Sequence, residues 1–455
     1  MEPAKKLTKN EMNAVLQSLR AGTVPKVGLK QIVVGREEEI KQIHKELHNV
    51  KQGTSGLKII MADYGNGKTF MLNLARGFAH DENFVVANAD FNNERRLTGT
   101  GYGLNLYKEL LKNLSTPVRP DNAIESIIER WLNSIQTATQ KKMGLAEIKY
   151  DNANFIGEVS KQIDEQLSDV EELSGGFNFR EVVKRYYSGY VHDNEELRRS
   201  ALKWLRGEYS TKTEAKKELQ VNGIIADDNW FDYIKLLNRF VKGLGYSGLV
   251  LILDEAVSLY KISHTSSREK NYEALLNIYN DTTQGRIDSL YIIIGATVKA
   301  VQDDRRGFSS YEALKSRLST NPYENTQYRD YSQPVITLPP LRPEHYFVLL
   351  RKLKLIHDNY CNTTLALTDE HLKSFILGSL KRPGANQNLS PREMIKRFLD
   401  AISILSQNPA MSVDQVLNNA TSKERSQDDI KQAKSDEELE PEPAQSDPMS
   451  RFEKA

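Results

Sequence analysis

The sequence predicts an α/β fold around a parallel sheet of five strands, and two segments predict it most directly. Leu57-Lys58-Ile59-Ile60-Met61 is a short apolar run that leads into a glycine-containing turn, Ala62-Asp63-Tyr64-Gly65-Asn66-Gly67-Lys68-Thr69. A helical stretch over residues 70–78 follows. Leu249-Val250-Leu251-Ile252-Leu253 is a continuous apolar run that ends in Asp254-Glu255. Unbroken runs of this length belong to strands covered on both faces, as in parallel sheets.

The remaining elements follow in chain order. Residues 1–30 are polar and basic and read as an arm with a short helix around residues 9–20. Val33-Val34-Gly35-Arg36-Glu37-Glu38-Glu39 opens an amphipathic helix with Ile40, Ile43 and Leu47 on its apolar side. Residues 84–91 read as a second strand. From about 101 to 245 the pattern is helical, with Leu106, Leu110 and Leu114, then Ile124, Ile128, Trp131 and Ile135, at helix spacing. Such stripes are read as core. Residues 290–296, closed by Thr297, and 334–338, closed by Pro339-Pro340, are strands, with a helix over 311–318 between them. Residues 343–407 are helical, with a break at Pro383-Gly384 and a restart at Ser390-Pro391-Arg392-Glu393, where serine caps and proline begins the helix. Residues 421–455 hold ten acids against six bases, and so little apolar surface that they read as a disordered acidic tail. The expected division is therefore an arm (1–30), a core (31–340) with a helical insertion at about 101–245, a helical C-terminal domain (341–420) and the tail (421–455).

Composition narrows the class. A chain of 455 residues exceeds one compact core, so two or three domains are expected. Charged residues make up 27% and mean hydropathy is −0.55, with no apolar run of bilayer-spanning length. The start, Met1-Glu2-Pro3-Ala4-Lys5-Lys6, lacks the apolar core of a secretory signal, and a cytoplasmic protein is expected. The lone Cys361 excludes an intrachain disulfide framework and a cysteine-based zinc site. With 62 basic and 61 acidic residues, net charge neither demands nor excludes a nucleic-acid partner.

The chemistry lies in the two segments named first. Residues 62–69 fit the phosphate-binding pattern G-x-x-x-x-G-K-[ST] except that Ala62 stands at the first glycine. Gly65 and Gly67 let backbone N–H groups curl around an anion, and the helix that starts near Lys68 points its positive end there. Lys68 reaches outer phosphates and the Thr69 hydroxyl ligates Mg²⁺. An acid at the tip of a buried strand, Asp254, holds the same Mg²⁺, and the adjacent Glu255 polarises an attacking water. Together they predict a nucleoside-triphosphate site.

The strand between the phosphate loop and the acidic pair, the polar residue that ends the next strand and the helical C-terminal part resemble the AAA+ branch of P-loop ATPases. The resemblance implies an AAA+-like P-loop core that binds ATP with Mg²⁺. Its nucleotide contacts would be Asp63, Tyr64, Gly65, Asn66, Gly67, Lys68, Thr69 and Phe70. Gly35-Arg36-Glu37 would line the adenine pocket, Thr297 matches the sensor-1 position, Arg317 the arginine finger and Arg392 the sensor-2 arginine. More narrowly, Asp63–Thr69, Glu94-Arg95-Arg96-Leu97, Trp204-Leu205-Arg206-Gly207-Glu208 and Ser310-Tyr311-Glu312-Ala313-Leu314 resemble ATP-binding proteins of the bacteriophage exclusion (BREX) systems. That implies an ATPase that works beside other defence proteins, and an arginine finger at Arg317 would imply self-association. Two rivals stay open: a nucleotide-gated scaffold with slow or no hydrolysis, and a clamp closing on double-stranded DNA. Arg95-Arg96 and Arg305-Arg306 are read as solvating loops rather than contacting DNA.

Overall fold

In the computed structural model, which describes residues 6–148, 150–319, 321–324, 328–381 and 390–422, the five expected strands form one parallel sheet in the order β2-β3-β4-β1-β5. They are β1 (Gly56–Met61), β2 (Val85–Asp90), β3 (Leu249–Asp254), β4 (Leu290–Ala296) and β5 (Val335–Thr337). The fold is α/β, consistent with a P-loop core. Register aligns the strand tips: Met61 lies opposite Ala296 and Asp90 opposite Asp254. Whatever follows each strand therefore emerges on one edge of the sheet.

Strands that run parallel need crossovers, and helices supply them. Helix Lys68–Asp81 joins β1 to β2 and helix Thr265–Thr283 joins β3 to β4. Alternate strand residues face opposite sides. Ile60, Val86, Val250, Ile252 and Ile293 pack under Leu72, Ala75 and Phe78 of the first crossover and Ile43 and Leu47 of helix Glu37–Lys51. Ile59, Val85, Ala87, Leu251, Ile292 and Ile294 face the other way, into a core shared with the insertion. Between β2 and β3 the insertion runs from helix Tyr102–Lys112 to helix Trp230–Gly243, interrupted by a single isolated bridge between Ser115 and Val86.

A third cluster joins segments far apart in the chain. Val15, Leu16 and Leu19 of helix Lys9–Arg20 pack among Leu350, Leu353, Phe375, Phe398 and Ile402 of the C-terminal helices. The helix read as part of an arm thus completes the C-terminal helical cluster, because its apolar stripe finds a matching face there. Ser390 caps helix Pro391–Gln407 as its sequence demands, its Oγ accepting from Glu393 N at 3.3 Å. The Pro383-Gly384 break lies outside the described residues. So does the tail beyond Ser422, where helix Val413–Ser422 ends.

One polar residue interrupts the apolar β1. Lys58 is 2% exposed, and its Nζ sits 2.6 Å from Glu46 Oε1 while donating to the carbonyls of Gln333 at 2.6 Å and Tyr331 at 3.2 Å. The Tyr291 hydroxyl donates to the other Glu46 oxygen. A buried ammonium with this many partners fastens the segment before β5 to the sheet. Lys58→Met takes the cation from the half-buried Glu46 and the donor from the backbone carbonyls before β5, so it should cost about 3–5 kcal/mol in denaturant unfolding. Adding Glu46→Leu to Lys58→Met should recover part of that loss. A single variant as stable as the parent would show that the pair holds nothing in place.

Candidate functional site

The loop after β1 begins as strand. Ala62 N still donates to Ala296 O at 3.2 Å, and Ala62 is outside the positive-φ set, so the first glycine of the pattern is not needed here. Gly65 and Gly67 do need to be glycine: their φ values are 75° and 94°, in the left-handed region. Gly67 caps helix Lys68–Asp81 without a side-chain acceptor. The amides of the first helical turn, Lys68 to Phe70, are thereby left for an anion.

Lys68 points into the loop it belongs to. Its Nζ donates to the carbonyls of Ala62 at 2.9 Å and Asp63 at 3.0 Å and lies 5.1 Å from the centre of the Tyr64 ring. Burial pushes its pKa down, and Asp254, Glu255 and Asp63 oppose that shift.

The tip of β3 meets this loop directly. Thr69 Oγ1 donates to Asp254 Oδ2 at 2.7 Å, and Glu255 N donates to Asp254 Oδ1 at 2.8 Å. Glu255 has φ 56°, a conformation rare outside glycine and asparagine. That abrupt turn after the strand puts Glu255 among the residues lining the cleft above the loop. Asp90, opposite Asp254 in register, has its carboxyl pushed up by burial and then by the charge of Asp254. Thr297 follows β4 and is buried, its Oγ1 accepting from Ala300 N at 3.2 Å as the cap of helix Val298–Gln302.

The cleft has an apolar half. Val24, Pro25, Val33, Val34, Leu341 and Ile395 face it, drawn from the N-terminal segment, the turn after β5 and the C-terminal helices. Arg36 lines it too; buried, it donates to Pro339 O at 2.8 Å and Asn66 O at 3.5 Å, and burial lowers its pKa against the pull of Glu39. Gly35 lies beside this wall rather than in it. Tyr64, Gly65, Asn66, Gly67, Lys68, Thr69 and Phe70 form the floor, and the exposed Arg392 stands at the rim.

Arg317 is elsewhere. On helix Glu312–Leu318, its Nε donates to Asn280 Oδ1 at 3.0 Å and its Nη1 to Ala313 O at 2.9 Å. The arginine pairs read as loop residues are held within the chain: Arg95 by Asp90 O and Glu109, Arg306 by the carbonyls of Tyr260 and Ile262. Sequence reading missed Val24, Leu341 and Ile395. No spacing relates them to Lys68; the Pro25 and Pro339-Pro340 turns beside them were the only signal.

Among the described residues no cluster of three or more His, Cys, Asp or Glu side chains could hold a metal. Thr69 and Asp254 offer two adjacent hard oxygens, which suits Mg²⁺ because that ion keeps most of its waters.

A comparison with protein families matches residues 7–421 to the family described as BREX system ATP-binding protein BrxC/D. The chain belongs to that family. A comparison with curated proteins finds no match. BrxC/D membership carries with it ATP binding in a phage-defence system, and the floor and apolar half of the cleft suit the phosphates and base of a nucleotide. No helix among the described residues is long and apolar enough to cross a membrane.

Gly295 in β4 abuts the acid that anchors this site. A Cβ there would stand 2.2 Å from Asp254 Oδ1 and 2.8 Å from Leu72 Cδ1. Gly295→Ala should therefore cost about 1–3 kcal/mol in stability through overpacking. It should also weaken Mg²⁺-dependent binding of a fluorescent ATP analogue more than Mg²⁺-free binding. Equal losses with and without the ion would show that the Asp254 carboxyl is not what moved.

Proposed function

We propose that this chain is an AAA+-type ATPase of a BREX system, acting in the cytoplasm and coupling its nucleotide state to the assembly or remodelling of a partner protein or DNA. The observation that carries the reading is the Thr69–Asp254 hydrogen bond with Glu255 lining the same cleft. A site that only bound nucleotide would not need the second carboxylate. The position of β4 between β1 and β3, with Thr297 at its tip, adds support.

Each residue has a role in this reading. The amides of Gly65 to Thr69 and the Lys68 ammonium hold the phosphates, while Arg36 and the apolar half hold the base. Thr69 and Asp254 would hold Mg²⁺, which when bound neutralises charge on the phosphate oxygens. Glu255 accepts a proton from, and orients, the attacking water. Thr297 senses the outer phosphate beside that water, and Arg392 approaches it from the rim. Arg317 acts on the neighbouring subunit's nucleotide, which makes self-association part of the mechanism.

Lys68→Ala should lose ATP binding and keep the parent's melting behaviour, since Lys68 serves the phosphates rather than a core. Unchanged affinity in that variant would sink the phosphate-loop assignment. Glu255→Gln should keep ATP bound yet slow phosphate release by about 10²–10⁴, because an amide is no base. Parent protein without turnover, alone or with duplex DNA, would leave a nucleotide-gated scaffold as the function.

Self-association has its own test. Turnover per subunit should rise with protein concentration, and Arg317→Ala should abolish the rise while ATP affinity stays near the parent's. Where measured in GTPases, an arginine finger contributes about 10³–10⁵ in rate. Mixing Arg317→Ala with Glu255→Gln should restore some turnover, each supplying the half that the other lacks. No recovery, with turnover independent of concentration, would mean that the chain works alone.

A further inference from the structure

Two of the segments that carry the BREX resemblance, residues 94–97 and 204–208, lie outside the nucleotide cleft. The fold brings both to one helix, Tyr102–Lys112. Asn105 Nδ2 on that helix donates to Glu94 O at 3.2 Å, and Asn92 Oδ1 accepts from the amides of Glu94 and Arg95 at 2.8 Å each. Two residues along, the buried Tyr107 hydroxyl donates to Leu205 O at 2.8 Å, which fixes the turn carrying Arg206 and Glu208. Between these anchors lies a cleft of about 410 Å³. It shares no lining residue with the nucleotide cleft, and every side chain that lines it is charged or an amide.

The charges there are unequal in their engagement. Glu109 is taken up by Arg95 at 3.0 Å. Lys108 and Arg206 are half-buried, and neither side chain has an ion pair or hydrogen bond among the described residues. Cations held at a cleft without protein partners are met there by water, and an anion that displaced it would gain charge-assisted hydrogen bonds from both. Glu94 and Glu208 line the same cleft and offer acceptors. With no aromatic or apolar side chain in the lining, a base has nothing to stack on.

We propose that this cleft is a second anion site, which takes a phosphate ester that also bears hydroxyl groups. Lys108 and Arg206 receive the phosphate, and Glu94 and Glu208 accept from the hydroxyls. Two sources present that chemistry, a free sugar phosphate and the ribose-phosphate backbone of RNA. A DNA backbone carries phosphates and no hydroxyl donor, so it meets the cations and is opposed by the two glutamates.

The test uses the full chain as Lys68→Ala, which blanks the phosphate loop, with the parent saturated by a non-hydrolysable ATP analogue as a second background. Ribose 5-phosphate is titrated by calorimetry, and a short labelled RNA and the DNA of the same sequence by anisotropy. The sugar phosphate or the RNA should bind, and DNA should bind more weakly. Arg206→Gln and Lys108→Gln should each weaken binding about tenfold or more, the loss of one charge-assisted hydrogen bond. Neither should shift the melting temperature, since neither side chain holds a partner. Binding of ribose 5-phosphate with little gain for RNA identifies a small-molecule effector, and much tighter RNA binding identifies the backbone. Failure of both probes in both backgrounds, DNA binding equal to RNA, or affinity indifferent to both substitutions would overturn the proposal.

Discussion

Thr69 and Asp254 are 185 residues apart, and their side chains meet at 2.7 Å. That contact exists only because β3 and β1 run parallel on either side of β4, so that the loop after one and the acid ending the other emerge on the same edge. The nucleotide site hangs from this constraint. The first crossover helix must start where the loop ends, Gly295 must stay small beside the acid, and Glu255 must turn sharply out of the strand. The polar anchors serve the same end, with Lys58 tying down the approach to β5 and Arg36 joining the loop to the turn beyond it.

Much of this architecture was legible in the sequence, because the features concerned are local. A five-residue apolar run reports its own burial, and a Gly-x-Gly-Lys-Thr turn reports its own φ requirements. Ser390 and Pro391 mark a helix start without help from the rest of the chain. What escaped are pairings between distant segments. The stripe Val15, Leu16 and Leu19 says that a helix needs a partner and not which one. Val24, Leu341 and Ile395 are ordinary apolar residues until the fold sets them around one cleft. The left-handed Glu255 was also hidden, since glutamate carries no preference for that conformation. The lysine inside β1 is the reverse case: its charge argues against a buried strand until Glu46 and three backbone carbonyls are seen around it.

The two clefts stand on one short piece of backbone. Arg95 Nε donates to Asp90 O at 3.0 Å, and Phe91 N donates to Asp254 O at 3.0 Å. The Ser258 hydroxyl, just past Glu255, donates to Phe91 O at 3.1 Å. Residues 90–95 are thus bonded on one side to the acidic pair and on the other to the helix carrying Lys108. A hydrogen-bonded link of this kind gives the two clefts a path by which a change at one could bias the other, and coupling between binding sites is reciprocal.

The packing of helix Lys9–Arg20 among the C-terminal helices also governs when the molecule can first work. The wall of the nucleotide cleft draws on residues near 24 and near 395, and Arg36 reaches a carbonyl 303 positions later. As the chain leaves the ribosome from its N-terminus, the phosphate loop and β3 are present well before the last pieces of that wall. Helix Lys9–Arg20 must wait, its apolar stripe without its partners, until the helices carrying Leu350, Phe375 and Phe398 have been made. A nascent chain therefore has a phosphate loop before it has a finished cleft, so nucleotide capture waits on the helix that carries Ile395.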